Sequence, residues 1–283
     1  MRLSKGATWL LRFGVGLGLA FIYIPLLVVG IYAFNGSGTT QKWPPSGLTT
    51  KWFGEALEND AAREAFVTSL KAGLAATAIA LLLGTLAALA VARHRFFGRE
   101  TISFLVVLPI ALPGIVTGVA LSNTFTQVFG VSLGLFTVIV GHATFCIVVV
   151  YNNVVARLRR TSASFEEASA DLGAHTWQTF RHITLPNMRT ALAAGALLAF
   201  ALSFDEIIVT TFTIGAGEET LPIWIFRNLF RPSQLPIVNV VALLVILISI
   251  VPVYLAHRLS REEGASVAGK GGRGVEVEAT AVP

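Results

Sequence analysis

Residues 72–92 read AGLAATAIALLLGTLAALAVA, twenty-one positions without a charge. An α-helix rises about 1.5 Å per residue, so about 20 apolar residues cross the ~30 Å hydrocarbon core of a bilayer. The run belongs to a candidate span at 68–92, and comparable runs occupy 13–34, 102–123, 133–155, 189–213 and 237–257. Composition agrees: of 283 residues, 54% are hydrophobic and 13% charged. A soluble domain carries about 25% charged residues, and so few charges would not cover its surface. The mean hydropathy of +0.71 points the same way. The expectation is an all-α polytopic membrane protein of about six helices. Residues 1–12 form a short cytoplasmic N-terminus, 13–260 the membrane domain and 261–283 a disordered tail rich in Gly, Ala and Val.

The first run exceeds the 7–15 apolar residues of a signal peptide, and no small-residue cleavage site follows it. It reads as an uncleaved first helix. With the N-terminus inside, the inner segments hold 15 Lys and Arg and the outer ones 6. The short Arg93–Arg99 loop follows the same bias, so both termini are expected in the cytoplasm. The net charge of +5 then reflects inner loops rather than a nucleic-acid surface. Cys146, the one cysteine, excludes an intramolecular disulfide and a cysteine metal cluster, and reads as a packing residue. Gly14 with Gly18, and Gly114 with Gly118, have the spacing of close helix contacts. Pro109 and Pro113 should kink the third span.

The longest inner loop, about 161–189, is polar yet ordered in pattern. Ser164 and Glu167 have capping-box spacing, and Gly173 suits a helix end. Trp177, Phe180 and Ile183 recur every third residue and would share a face, and Pro186 would end the element before the fifth span. Two short helices about a glycine turn could dock into a partner's groove. A solvated connection is the plainer reading.

Glu167-Ala168-Ser169, then Gly173, then nine residues from Ala174, then Ile183-Thr184-Leu185-Pro186 resembles the "EAA" loop of binding-protein-dependent ABC importer permeases. Ser169 stands where the pattern has a second alanine. Ala199-Phe200-Ala201-Leu202-Ser203-Phe204-Asp205-Glu206-Ile207-Ile208-Val209 and Leu108-Pro109-Ile110-Ala111-Leu112-Pro113 extend the likeness. From about Tyr23 to Leu259 the chain is similar to the second (C-type) permease subunit of the spermidine/putrescine type. The resemblance implies a type I ABC importer fold and a transmembrane permease role. It implies a second permease subunit, two ATPase subunits and an extracytoplasmic solute-binding protein as partners. Glu167 would contact the ATPase and Gly173 would let the loop turn. Related permeases carry other small solutes. No phosphate loop G-x-x-x-x-G-K-[ST] is present in the sequence, so ATP and Mg are expected in the ATPase, with no catalytic residue, metal or cofactor in this chain.

Charges within a span cost about 2.5–3.5 kcal/mol each and invite a functional explanation. Asp205 and Glu206 lie in the expected fifth span. On a continuous helix Ala196, Ala199, Ser203, Glu206, Thr210 and Thr213 form one small-to-polar stripe, with Asp205 about 100° away. The expectation is that Glu206, Asp205, Ser203 and Thr210 line a translocation pathway, where carboxylates favour a cationic amine. Pairing of either acid with the partner subunit is the alternative. His142 is either bonded to a neighbouring helix or part of a proton relay. A secondary transporter would not need the loop. A membrane enzyme would need a cluster beyond Asp205, Glu206 and His142. Trp43, Trp52 and Phe53, and Trp224, Phe226 and Phe230, sit in outer segments as an interfacial belt or a docking surface.

Overall fold

The computed structural model describes residues 4–36, 44–45 and 47–250. The expected tail and Trp43 lie outside the described residues. The long helices follow from the apolar runs, and among the described residues only an isolated bridge between Asn35 and Leu48 represents β-structure. The elements are α1 (Lys5–Ala33), α2 (Lys51–Leu57), α3 (Asp60–Arg93), α4 (Arg99–Ala111) and α5 (Gly114–Asn123). Then come α6 (Leu135–Arg160), α7 (Ser164–Asp171), α8 (Thr176–Thr179), α9 (Leu185–Phe204), α10 (Ile208–Thr213) and α11 (Leu221–Leu229). A last apolar helix, α12, covers Leu235–Ile250, and the rest of its expected span lies outside the described residues. Four helical stretches are long and apolar enough to cross a membrane, and α4 with α5 makes a broken fifth.

Three expectations about the spans change. The first helix starts at Lys5 rather than residue 13, because the Ser4 hydroxyl accepts from the Ala7 N–H and caps it. The third span breaks at Leu112, which is extended (φ −82°, ψ 144°) because Pro113 disfavours a helical residue before it. Pro109 stays inside α4. Pro186 does not end a helix: helical structure runs from Thr176 to Phe204. Phe180–Thr184 widens into a π-turn, with the Leu185 N–H bonded to the Phe180 carbonyl. The wider turn relieves the clash a proline ring makes with the carbonyl four residues back.

The chain divides into two compact units. The first holds the described residues up to Leu74 with 113–142 and 203–248. Its core joins Ala62 and Ala65 of α3 to Leu221, Trp224, Val238 and Val240. The Ser69 hydroxyl accepts from the Leu221 N–H at 2.8 Å, and the Trp52 indole donates to the Asn35 carbonyl at 2.9 Å. Gly118 lies against Phe212 and Gly114 against Ile208, so the α5 glycine pair serves to seat α10. Gly14 and Gly18 of α1, by contrast, have nothing within 4 Å of an added Cβ among the described residues.

The second unit holds Ala75–Leu112 and Ala143–Leu202. Buried Ala76, Ala80, Gly84 and Ala88 recur every fourth residue along α3. Lipid gives little hydrophobic drive between helices, so small side chains that admit close backbone approach carry the packing. A Cβ on Gly84 would stand 2.9 Å from the Ile147 carbonyl and 3.0 Å from Val150 Cβ. Across α6, Gly195 of α9 approaches Val150, Cys146 donates to the Ala199 carbonyl, and Ser103 of α4 bonds Tyr151 at 2.7 Å. Gly84→Val should therefore destabilise the assembled protein by about 1–3 kcal/mol, the cost of overpacking. Thermal unfolding in detergent reads this, with Gly54→Ala, at an open surface position, as the neutral control.

Candidate functional site

The loop after α6 folds as the two expected short helices. Its capping box does not form at Ser164 and Glu167. The cap residue of α7 is Ala163, whose carbonyl accepts from the Glu166 and Glu167 N–H groups, while Ser162 Oγ accepts from the Ser164 N–H. α7 ends at Gly173, whose φ of +83° lies in the left-handed region that costs a side-chain-bearing residue about 1–2 kcal/mol. The second helix is capped by Gln178 Oε1, which accepts from the His175 N–H at 3.1 Å.

Two sets of polar contacts, neither anticipated from sequence, hold this knob. Ser169 is buried and its hydroxyl meets that of Thr179 at 3.0 Å, joining α7 to α8. An alanine there could not make this bond. Glu166 lies 3.1 Å from the Arg93 guanidinium at the end of α3 and accepts from the Thr184 hydroxyl at 3.0 Å. Arg93 also donates to the Leu158 and Thr161 carbonyls at 3.4 Å. Both side chains are largely shielded, at 16% and 23% exposure, so the pair is worth more than a surface ion pair.

The neighbouring Glu167 and Ala168 point outward and are exposed. Phe165, Leu172 and Trp177 are also exposed, at 59%, 89% and 61%. Trp177 stacks on Phe180 with ring centroids 5.5 Å apart, as the spacing of three implied, whereas Ile183, Leu185 and Pro186 are half-buried at the root of the knob. A hollow of about 420 Å³ beside the turn is lined by Leu172, Gly173, Ala174, Gln178 and His182. A carboxylate and three large apolar side chains thus stand exposed around a fixed turn.

The acidic pair sits differently from expectation. The helix ends at Phe204 and resumes at Ile208, so Asp205–Ile207 form a break and the continuous stripe does not exist. Glu206 is half-buried, and its Oε1 accepts from the Val209 N–H at 2.9 Å, capping α10. Asp205 is exposed. Ser203 and Thr210 are buried at 3% and 0% and line no surface of this chain. Their hydroxyls instead meet the two ring nitrogens of buried His142: Nδ1 to Ser203 at 2.7 Å and Nε2 to Thr210 at 2.8 Å. Ring nitrogens held by hydroxyls favour the structural reading of His142 over the relay.

Of the outer aromatic residues, Trp224 is buried in the core and Trp52 is half-buried against Asn35. Phe226 and Phe230 are exposed and meet edge to face at 5.5 Å. Nearby Glu219 bonds Arg227 at 2.6 Å, and burial pushes its carboxyl above the usual range against the pull of that arginine. Among the described residues no group of His, Cys, Asp and Glu could hold a metal ion.

Residues 80–262 match the family described as binding-protein-dependent transport system inner membrane component. The putrescine transport system permease protein PotI of Escherichia coli (strain K12) is 34% identical over 256 residues, covering 87% of this chain and 90% of the relative. The spermidine/putrescine transport system permease protein PotC of the same strain is 32% identical over 244 residues, covering 86% and 91%. The fold is shared with a chain from the crystal structure of a bacterial ABC transporter that imports alginate. The TM-score is 0.67 at 18% identity, over 93% of this chain and 99% of that one. A chain of the inward-facing MetNI methionine ABC transporter aligns with TM-score 0.57 at 18% identity, over 76% and 99%. On these matches the chain belongs to the inner membrane components of binding-protein-dependent transport systems, the permease subunits of ABC importers.

Proposed function

We propose that this chain is one of two membrane subunits of an importer for polyamines, moving putrescine or spermidine delivered by an extracytoplasmic binding protein. The observation that carries the reading is near-full-length similarity to two permeases, one named for putrescine and one for spermidine and putrescine. A second permease completes the pathway, two ATPase subunits sit beneath, and ATP and Mg are used there. The 15 to 6 division of Lys and Arg supports cytoplasmic termini and a cytoplasmic knob.

In this scheme the knob transmits the ATPase stroke. Arg93, Glu166 and Thr184 fix its root, so a push on the exposed Glu167 face moves the root instead of dissipating in a floppy loop. The pathway is assigned to the helix break. Asp205 presents an exposed carboxylate where a diammonium cation would otherwise lose its hydration without compensation. Glu206 has one oxygen committed to α10 and supports the same field. Ser203 and Thr210 have no place in this lining.

Uptake of labelled putrescine and spermidine should vanish in cells lacking this gene and fall at least tenfold with Glu167→Ala, while the complex still assembles. Wild-type uptake in the deletion strain, in a background without other polyamine importers, would rule out the polyamine reading. Gly173→Ala, which strains the turn, should lower both uptake and ATP hydrolysis stimulated by the binding protein. Equal hydrolysis in that variant counts against transmission through the turn. Asp205→Asn should reduce uptake with assembly intact, and unimpaired uptake removes Asp205 from the pathway.

A further inference from the structure

The helix break leaves α10 with six residues, fewer than two turns, too short to be stable by itself. Its neighbours hold it. Gly114 and Gly118 receive Ile208 and Phe212, Gly141 receives Val209, and the Thr137 hydroxyl donates to the Thr213 carbonyl at 2.6 Å. These contacts all fall on α10 itself. His142 differs, because it bonds Ser203 before the break and Thr210 after it.

Proton bookkeeping fixes the ring. Thr210 gives its hydroxyl proton to the Glu206 carbonyl at 2.8 Å. It must therefore accept from His142 Nε2–H, which leaves Nδ1 to accept from the Ser203 hydroxyl. A neutral ring with two polar atoms on opposite sides suits the task. It spans two helical segments rigidly without bringing a charge into the membrane interior. All three side chains are at least 97% buried.

We propose that His142 is a positioning residue for translocation. By bracing both sides of the break it sets where Asp205 and Glu206 stand. Cutting either link frees the Asp205–Ile207 segment to swing, and the carboxylates lose their fixed place. The inference rests on the reading that this segment meets the solute, and it does not depend on which solute that is.

The test uses the full importer in nanodiscs, with a nitroxide on Asp205→Cys in a Cys146→Ser background. Continuous-wave EPR then compares the parent with His142→Ala, Ser203→Ala and the double variant. The parent should show an immobilised label. Each single variant should raise the ratio of mobile to immobilised component about tenfold, the scale of one buried hydrogen bond. The double variant should add nothing, since both substitutions cut the same brace. If His142→Ala fails to insert, Ser203→Ala decides alone. An unchanged spectrum in Ser203→Ala, or effects that multiply in the double variant, overturns the proposal. Failure of the unlabelled importer, with Asp205 in place, to take up putrescine counts against the polyamine reading instead, and the spectrum still decides this one.

Discussion

Inside a bilayer no water is available to a backbone N–H or C=O, so every interruption of a helix must find internal partners for the groups it frees. The break in the expected fifth span meets that constraint, and two irregular turns outside the expected spans find internal partners as well. At Asp205–Ile207 the Glu206 carboxylate takes the Val209 N–H, and three threonine hydroxyls of α10 return to carbonyls four residues back. At Phe180–Thr184 the helix widens instead of stopping, and the Asn187 amide reaches the Ile183 carbonyl. The Arg157 guanidinium takes the Asn187 carbonyl at 2.8 Å. A similar widening occurs at Thr124–Val128, where Thr124 and Thr126 bond back to Ala120 and Ser122. The polar residues of the apolar stretches are thus largely spent on backbone, and the question for function is which of them are left over.

That sorting separates Asp205 from its neighbours. Ser203, Thr210 and one oxygen of Glu206 are consumed in holding the break. Asp205 is exposed at the same point. That exposed carboxylate is the group to which the proposed pathway role is given. The same sorting applies to the knob, where Glu166 is consumed by Arg93 and Thr184 while the adjacent Glu167 faces outward. Of these two adjacent carboxylates one is anchored and the other stands exposed.

Four spans and a broken fifth were legible because length and apolarity alone identify them, and the knob because Gly173 and the three-residue aromatic spacing mark it locally. The break after Phe204 was not legible. Residues 199–213 contain no Gly or Pro, and a helical wheel drawn through them gives a convincing stripe. Most of what holds the break is tertiary, a histidine 61 residues upstream of Ser203 and glycines on α5, and neither is visible in a local window; only the Glu206 cap on Val209 is local. Serine at position 169 was equally opaque, since its partner Thr179 only becomes a neighbour once the turn has formed.

Rigidity at the knob and at the break has one physical logic. In the proposed scheme a push on Glu167 is useful only if little of it is absorbed at the knob itself, and a carboxylate at Asp205 only if the break holds it in place. Charge-assisted bonds at the knob root and a two-sided histidine brace at the break remove the softest local modes at each end, where a loop and a short helix would otherwise give way first. Within the second unit, close packing on small residues adds to this, with Gly84 and Gly195 set against α6.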